Sequence, residues 1–248
     1  MRPFVEEYDG AIFIMKEFVP PEMKLPCIAL IPPGIDPLSP KNLDLPVARC
    51  RDFVESLGID VDRPIILHSS RLDQWKDPIS LFRCYYRVKD TIPDLQLVIT
   101  NSLALDDPDS FSLLRVMDAE AVKDEDIHVY TNMDGMGDVE INALQRTCTA
   151  GILKAEREGF GLSVSETLWK GRPVLGSRVG GIKLQLWGKL DICLIDGIDD
   201  CVKKIIELLK DKEKADSLGA IGREYVRQKF LSPRLVREKL ATIQAITK

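Results

Sequence analysis

The sequence has only two histidines, His68 and His128, and each sits in a β-like run, "IILHSS" and "IHVYT". Little is left from which to build a zinc site or a serine–histidine triad. Its six cysteines, Cys27, Cys50, Cys84, Cys148, Cys193 and Cys201, form no CxxC pair. Most lie in apolar stretches such as "PCIALI" and "DICLI", and read as buried, reduced thiols of a cytosolic protein. No apolar run approaches the ~20 residues of a membrane span. The opening "MRPFVEEYDG" carries acids where a signal peptide needs an apolar stretch, which argues against export. A basic excess is also missing. The net charge is -5, the wrong sign for a duplex-binding surface, so nucleic acid is not an expected partner.

What is present suits a soluble globular protein. The chain has 248 residues, 45% hydrophobic and 29% charged, enough to bury a sizeable core. Short β-branched runs alternate with amphipathic stretches. Strands are expected at 11–15, 27–31, 64–70, 95–100, 127–131, 150–153, 173–176 and 191–195. Helices are expected at 46–57, 78–92, 109–122, 138–147, 162–170, 199–210, 212–229 and 233–245. In 78–92, Ile79, Phe82, Tyr86 and Val88 recur at roughly helical spacing before Pro93. Strand–helix repeats of this length call for a parallel sheet with helices on both faces. The fold class is therefore α/β, a Rossmann-like doubly wound sheet over about residues 37–248.

Such sheets bind ligands outside the carboxyl ends of their strands. The segments that follow the strands are "RLDQWKD", "NMDGMGD", "KAEREGFG" and "SRVGGIK". Arg71 and Lys76 share one of these loops, and two cations there would neutralise a diphosphate. A solvated loop with surface pairs explains them equally well. Trp75, between them, reads as packing. In "EREGFGLSVSE" the glycines free the backbone to approach a ligand, and the helix that follows offers the amides of Gly161, Leu162 and Ser163 to an anion. Glu166 lies in the first turns of that helix, where a carboxylate can accept from both hydroxyls of a diol. Glu158 precedes the loop and can do the same for sugar hydroxyls. Acids that merely favour a helix N-terminus remain the alternative. Gly180 and Gly181 precede a short helix and read first as a tight turn.

These motifs resemble a family. "EGFG" between Glu158 and Glu166, Arg71 and Lys76 in "SRLDQWK", and "IPPGID" at 31–36 look like the retaining nucleotide-sugar glycosyltransferases of the two-domain GT-B type, group 1 (family 4). The likeness is closer to the archaeal trehalose glycosyltransferring synthases, through "PPGIDPLSPKN", "SSRLDQWKD", "INALQR" and "WKGRPVLGSRVGGIK". It runs from about residue 2 to 235. Sucrose synthases and trehalose phosphorylases share parts of it. The resemblance implies a donor-binding half of a GT-B fold. Glu158, Arg71 and Lys76 would be the catalytic residues, with Arg71 and Lys76 on the donor diphosphate and Glu158 on the transferred sugar. Glu166 would bind the ribose hydroxyls. Gly159, Phe160, Gly161 and Leu162 would contact sugar and phosphate, with Gly180 and Gly181 nearby and Asn132 near the base. The donor would be UDP- or ADP-glucose. No metal or cofactor is called for.

The pattern departs from the family in two places. Residues 1–36 look like the remnant of an N-terminal GT-B domain and its crossover, with 37–248 as the nucleotide-sugar-binding domain. The sequence after "GGIK" reads "LQLWGKLDICLIDG", where the family has a "DGxTGxLV" loop. The expected activity is glucosyl transfer in the cytoplasm, with a separate N-terminal half as partner. Residues 11–31 and the last helix should then expose apolar groups such as Ile12, Phe13, Ile14 and Phe18, favouring a hetero-partner or a homodimer. The alternative is a non-catalytic nucleotide-sugar-binding or protein-interaction module.

Overall fold

The computed structural model describes residues 2–103 and 108–247. Its strands are β1 (Gly10–Phe13), β2 (Cys27–Leu30), β3 (Ile65–Arg71), β4 (Gln96–Ser102), β5 (Ile127–Thr131), β6 (Ala150–Leu153), β7 (Val174–Ser177) and β8 (Leu194–Ile195). Its helices are α1 (Arg2–Val5), α2 (Val47–Ser56), α3 (Pro78–Lys89), α4 (Pro108–Ala121), α5 (Asp138–Thr147), α6 (Leu162–Trp169), α7 (Ile182–Gln185), α8 (Gly197–Lys210), α9 (Lys212–Lys229) and α10 (Ser232–Ile246).

Six strands form one parallel sheet in the order β5–β4–β3–β6–β7–β8. The chain winds outward from β3 to β5, then returns to β6 and winds the other way. The order reverses between β3 and β6, so the crevice for a ligand falls outside their carboxyl ends. The period of two distributes each strand between two cores. Ile66, Leu97 and Ile99 pack with α3, α6, α8 and α9. Ile65, Leu67 and Val98 pack with Val54 of α2 and Leu144 of α5. This is the Rossmann-like doubly wound half of a GT-B fold that the sequence leads one to expect. Among the described residues no helix is long and apolar enough to cross a membrane. All six cysteines are free; Cys27 is half-buried and the others are buried.

Two boundaries differ from expectation by three residues, and the others agree to within two. The strand expected at 191–195 keeps only Leu194 and Ile195, and Gly188–Cys193 forms a 3₁₀ helix instead. Leu190 and Cys193, three residues apart, are buried while Asp191 and Ile192 are exposed, which is the 3₁₀ period. The helix expected at 78–92 ends at Lys89, because Pro93 bars helical geometry from the residue before it.

β1 and β2 form a separate two-stranded parallel sheet. The crossover that follows is tied to the start of α10. Ile35 N donates to Phe230 O at 2.8 Å, and Ser232 N donates to Ile35 O at 2.9 Å. Arg234 Nη2 donates to Pro32 O at 2.8 Å and Pro33 O at 2.9 Å. A Cβ on Gly34 would sit 2.9 Å from the Leu231 carbonyl carbon, so this crossing needs glycine. Ile12 and Phe18 are exposed as expected, but Phe13 and Ile14 are half-buried, and Ile14 packs on the main core.

Candidate donor site at the strand crossover

Arg71 is the last residue of β3. The chain then turns through a 3₁₀ segment, Gln74–Lys76, capped by Asp73, whose side chain accepts from Trp75 N at 2.9 Å. Asp77 reverses the chain into α3 with φ 45, a backbone region that non-glycine residues rarely occupy. Its carboxylate accepts from Ser80 N at 3.3 Å and pairs with Lys154, just past β6. Burial pushes the Asp77 carboxyl up, but the Lys154 pair and the Ser80 bonds outweigh it and hold it below its ordinary value. Lys76 is thereby delivered to Glu158, with which it forms a mostly buried ion pair. Trp75 is partly exposed, and the Arg157 guanidinium stacks over its ring at 4.3 Å.

The "EGFG" loop is braced from behind. Gln185 of α7 is fully buried; its Nε2 donates to Phe160 O at 2.5 Å and Gly161 O at 3.2 Å. Ser165 Oγ donates to Gln185 Oε1 at 2.5 Å. Gly181 N donates to Gly159 O at 3.1 Å. Gly180 has φ +44, and a Cβ there would lie 1.6 Å from Glu158 O. The two glycines of "RVGGIK" therefore let one backbone lie directly against the other.

Glu166 is 8% exposed. Gln145 Nε2 donates to its Oε2 at 3.3 Å, and Lys41 Nζ lies 4.0 Å from its Oε1. One turn on, Lys170 is also buried, and burial lowers its pKa to about 7 despite the attraction of Glu166. Beneath Arg71, His68 bolts β3 to β6. Its Nδ1–H donates to Ile152 O at 3.1 Å, because a carbonyl only accepts, which leaves Nε2 facing Ser70 Oγ at 3.0 Å. Burial pushes its pKa down to about 4, so the ring is neutral.

These pieces surround one cavity of about 520 Å³, in the size range of small-molecule sites. Arg71, Lys76, Asn132, Glu158, Phe160, Gly161, Leu162 and Glu166 all line it. Gly159, Gly180 and Gly181 do not; they form the backbone stack that holds the loop. The sequence reading missed Lys41, Asp138 and Gln145. Lys41 and Asp138 line the same cavity, while Gln145 touches it only through Glu166. Lys41 sits inside "PPGIDPLSPKN", but the linear pattern assigns it no role, because it comes from the crossover loop more than a hundred residues from Glu166. Among the described residues no cluster of three metal-ligating side chains is gathered.

The family model for glycosyl transferases group 1 matches residues 51–225, the stretch that carries the six-stranded sheet and every expected site residue. The chain belongs to this family. It is 43% identical over 238 residues to a trehalose synthase of Rubrobacter xylanophilus, covering 96% of this chain and 57% of that protein. A trehalose synthase of Pyrococcus horikoshii is 38% identical, with 93% of this chain and 56% of that protein covered. The match falls on the C-terminal part of the relative, so this group 1 chain spans little more than half the length of the curated proteins it resembles. Among solved structures, a sucrose-phosphate synthase from Thermosynechococcus elongatus superposes with a TM-score of 0.80 at 20% identity, over 99% of this chain and 60% of that one. An Anabaena protein solved with UDP and glucose gives 0.80 at 16% identity, over 100% of this chain and 65% of that one. Both share the fold.

Proposed function

We propose that this group 1 chain is the nucleotide-sugar-binding half of a retaining glycosyltransferase, moving a glucosyl unit from UDP- or ADP-glucose in the cytoplasm once a separate N-terminal half completes it. The observation that carries this reading is the convergence of Arg71, Lys76, Glu158 and Glu166 on one cavity at the strand crossover. Residues 37–248 bind the donor. Residues 1–36 belong to the other domain and its crossover.

In this reading Arg71 and Lys76 hold the diphosphate and Glu166 accepts from the ribose hydroxyls. Asn132 lies toward the base. Glu158, freed from Lys76 when phosphate takes that cation, accepts from hydroxyls of the sugar. The amides of Gly159 to Leu162 contact sugar and phosphate. The bond from the anomeric carbon to phosphate oxygen breaks, and the electron pair leaves with the nucleoside diphosphate. The acceptor hydroxyl attacks the same face and gives its proton to that leaving phosphate. The cations stabilise the departing charge in place, so the site needs no metal ion.

The apolar surface supports a partner half. Val236, Leu240 and Ile243 of α10 are all exposed, as are Ile12, Ile28 and Leu30 of the small sheet and Leu38 of the crossover. Pro37, Leu38, Pro233, Val236 and Leu240 line a groove of about 790 Å³. A patch of this kind favours association.

The test is the melting shift of the chain with UDP, ADP and UDP-glucose, with Glu166→Ala alongside. A ligand at ~100 times its dissociation constant adds about 2.7 kcal/mol, roughly 5–10 °C for a chain of this size. The expected result is a shift for one nucleotide family that the variant loses. No shift with any of them would remove the donor site and leave the interaction-module alternative.

A further inference from the structure

Four consecutive carbonyls of the crossover loop are each held by a side chain from α5 or α6 or its cap. Pro40 O accepts from Asn142 Nδ2 at 3.0 Å, and Lys41 O accepts from Lys170 Nζ at 2.8 Å. Asn42 O accepts from Trp169 Nε1 at 3.2 Å. Leu43 O accepts from Asn142 Nδ2 at 2.9 Å and Arg146 Nη2 at 3.0 Å. Lys170 Nζ also donates to Asn42 Oδ1 at 2.6 Å. A surface loop ordinarily leaves such groups to water. Held at every carbonyl, this one has a single backbone conformation.

Of residues 40–44, Lys41 alone among the described residues lines the donor cavity. Its Nζ lies 3.4 Å from Asp138 Oδ1 and 4.0 Å from Glu166 Oε1. The second gap is too long for a direct hydrogen bond and wide enough for one oxygen. A hydroxyl oxygen about 2.8 Å from each atom would sit at an apex of about 90°, an angle at which it can donate to one and accept from the other. Glu166 has room for it. A carboxylate offers about four acceptor positions, and the one hydrogen bond to this buried carboxylate comes, among the described residues, from Gln145.

The geometry points to Lys41 as a hydroxyl-binding residue of the donor site: its ammonium donates to a ribose hydroxyl that itself donates to Glu166, and the clamped loop sets the spacing. This rests on the nucleotide-sugar reading above. It adds a sugar-reading function to a residue outside the diphosphate and "EGFG" motifs. Asp138 supplies the counter-charge that keeps the ammonium at the rim while the site is open.

The experiment is calorimetric titration of the chain and of Lys41→Met and Lys41→Gln with UDP and ADP, their 2′-deoxy and 3′-deoxy forms, and pyrophosphate. A hydrogen bond from an ammonium to the ribose predicts a loss of roughly tenfold to a hundredfold for the ribonucleotide. The loss should be much smaller for whichever deoxy form lacks the bridged hydroxyl, and pyrophosphate should be unaffected. Equal losses for all ligands would make Lys41 a diffuse charge and overturn the inference. Unchanged affinities in both variants would also overturn it. Failure of the unaltered chain to bind any nucleotide would overturn the donor-site reading, and this inference with it.

Discussion

Alanine at Gly180 should damage this protein far more than alanine at a solvent-facing turn glycine. The added Cβ would lie 1.6 Å from the carbonyl oxygen of Glu158, against ordinary contact at 3.4 Å or more. One backbone must retreat by about 2 Å, and overpacking of this kind costs about 1–3 kcal/mol. The φ of +44 adds about 1–2 kcal/mol of its own for a residue with a side chain. Together they predict a loss of about 2–5 kcal/mol, or roughly 5–20 °C in melting temperature. Two companions separate the causes. Gly58 has φ +81 with nothing within 4 Å, so Gly58→Ala should cost only the backbone term. Gly181 lacks a positive φ, but its Cβ would lie 2.6 Å from Phe160 Cα, so Gly181→Ala should cost only the packing term. Thermal unfolding followed by circular dichroism ranks the three. The loop that yields at Gly180 carries Glu158, so nucleotide-sugar binding should fall along with stability. A Gly180→Ala protein that melts within a degree of Gly58→Ala would refute the stacked-backbone argument.

Two further outcomes follow from buried and exposed groups. His68 stays neutral to about pH 4 against an ordinary 6.5. On acidification the unfolded chain takes up the proton first, so stability should fall as pH drops from about 6.5 to 4, by up to roughly 3 kcal/mol. His128, also lowered by burial, adds in the same direction. Denaturant titrations of His68→Gln should show a flatter profile across that window, and an unchanged slope would discount the buried imidazole. On the apolar face, Val236→Glu with Leu240→Glu should abolish association seen in sedimentation velocity. An unaltered chain that is monomeric at about tens of micromolar would count against the partner surface.

Much of the fold was legible because its signals are local. Ile65 to Leu67 and Leu97 to Ile99 are apolar on both sides, as a strand buried on two faces requires. Pro93 marked the end of α3 to within a few residues. Residues 191–193 were harder. "DICLI" has a strand-like composition, and only the burial of Leu190 and Cys193, in a segment packed on α9, β7 and β8, selects a 3₁₀ turn. The site was legible where its residues cluster in sequence, as Glu158 and Glu166 do around "GFG". Lys41 and Gln145 lie inside "PPGIDPLSPKN" and "INALQR", but their roles exist only after α5, α6 and the crossover loop have packed. Gln185 shows the same limit from another side. In sequence, "LQLW" is where an expected loop is missing. In the folded chain it is the brace of the "EGFG" carbonyls.

The ion pair between Lys76 and Glu158 makes the open cavity its own occupant. Inorganic phosphate can take Lys76 but strands a nearly buried carboxylate. A free sugar can satisfy Glu158 but strands a nearly buried ammonium, and either orphan is costly to leave. A molecule that presents anion and hydroxyls together replaces both partners at once. In the donor reading the pocket therefore favours a ligand that joins anion and sugar over inorganic phosphate or free sugar alone, while a nucleoside diphosphate still gains the ribose contacts of Glu166.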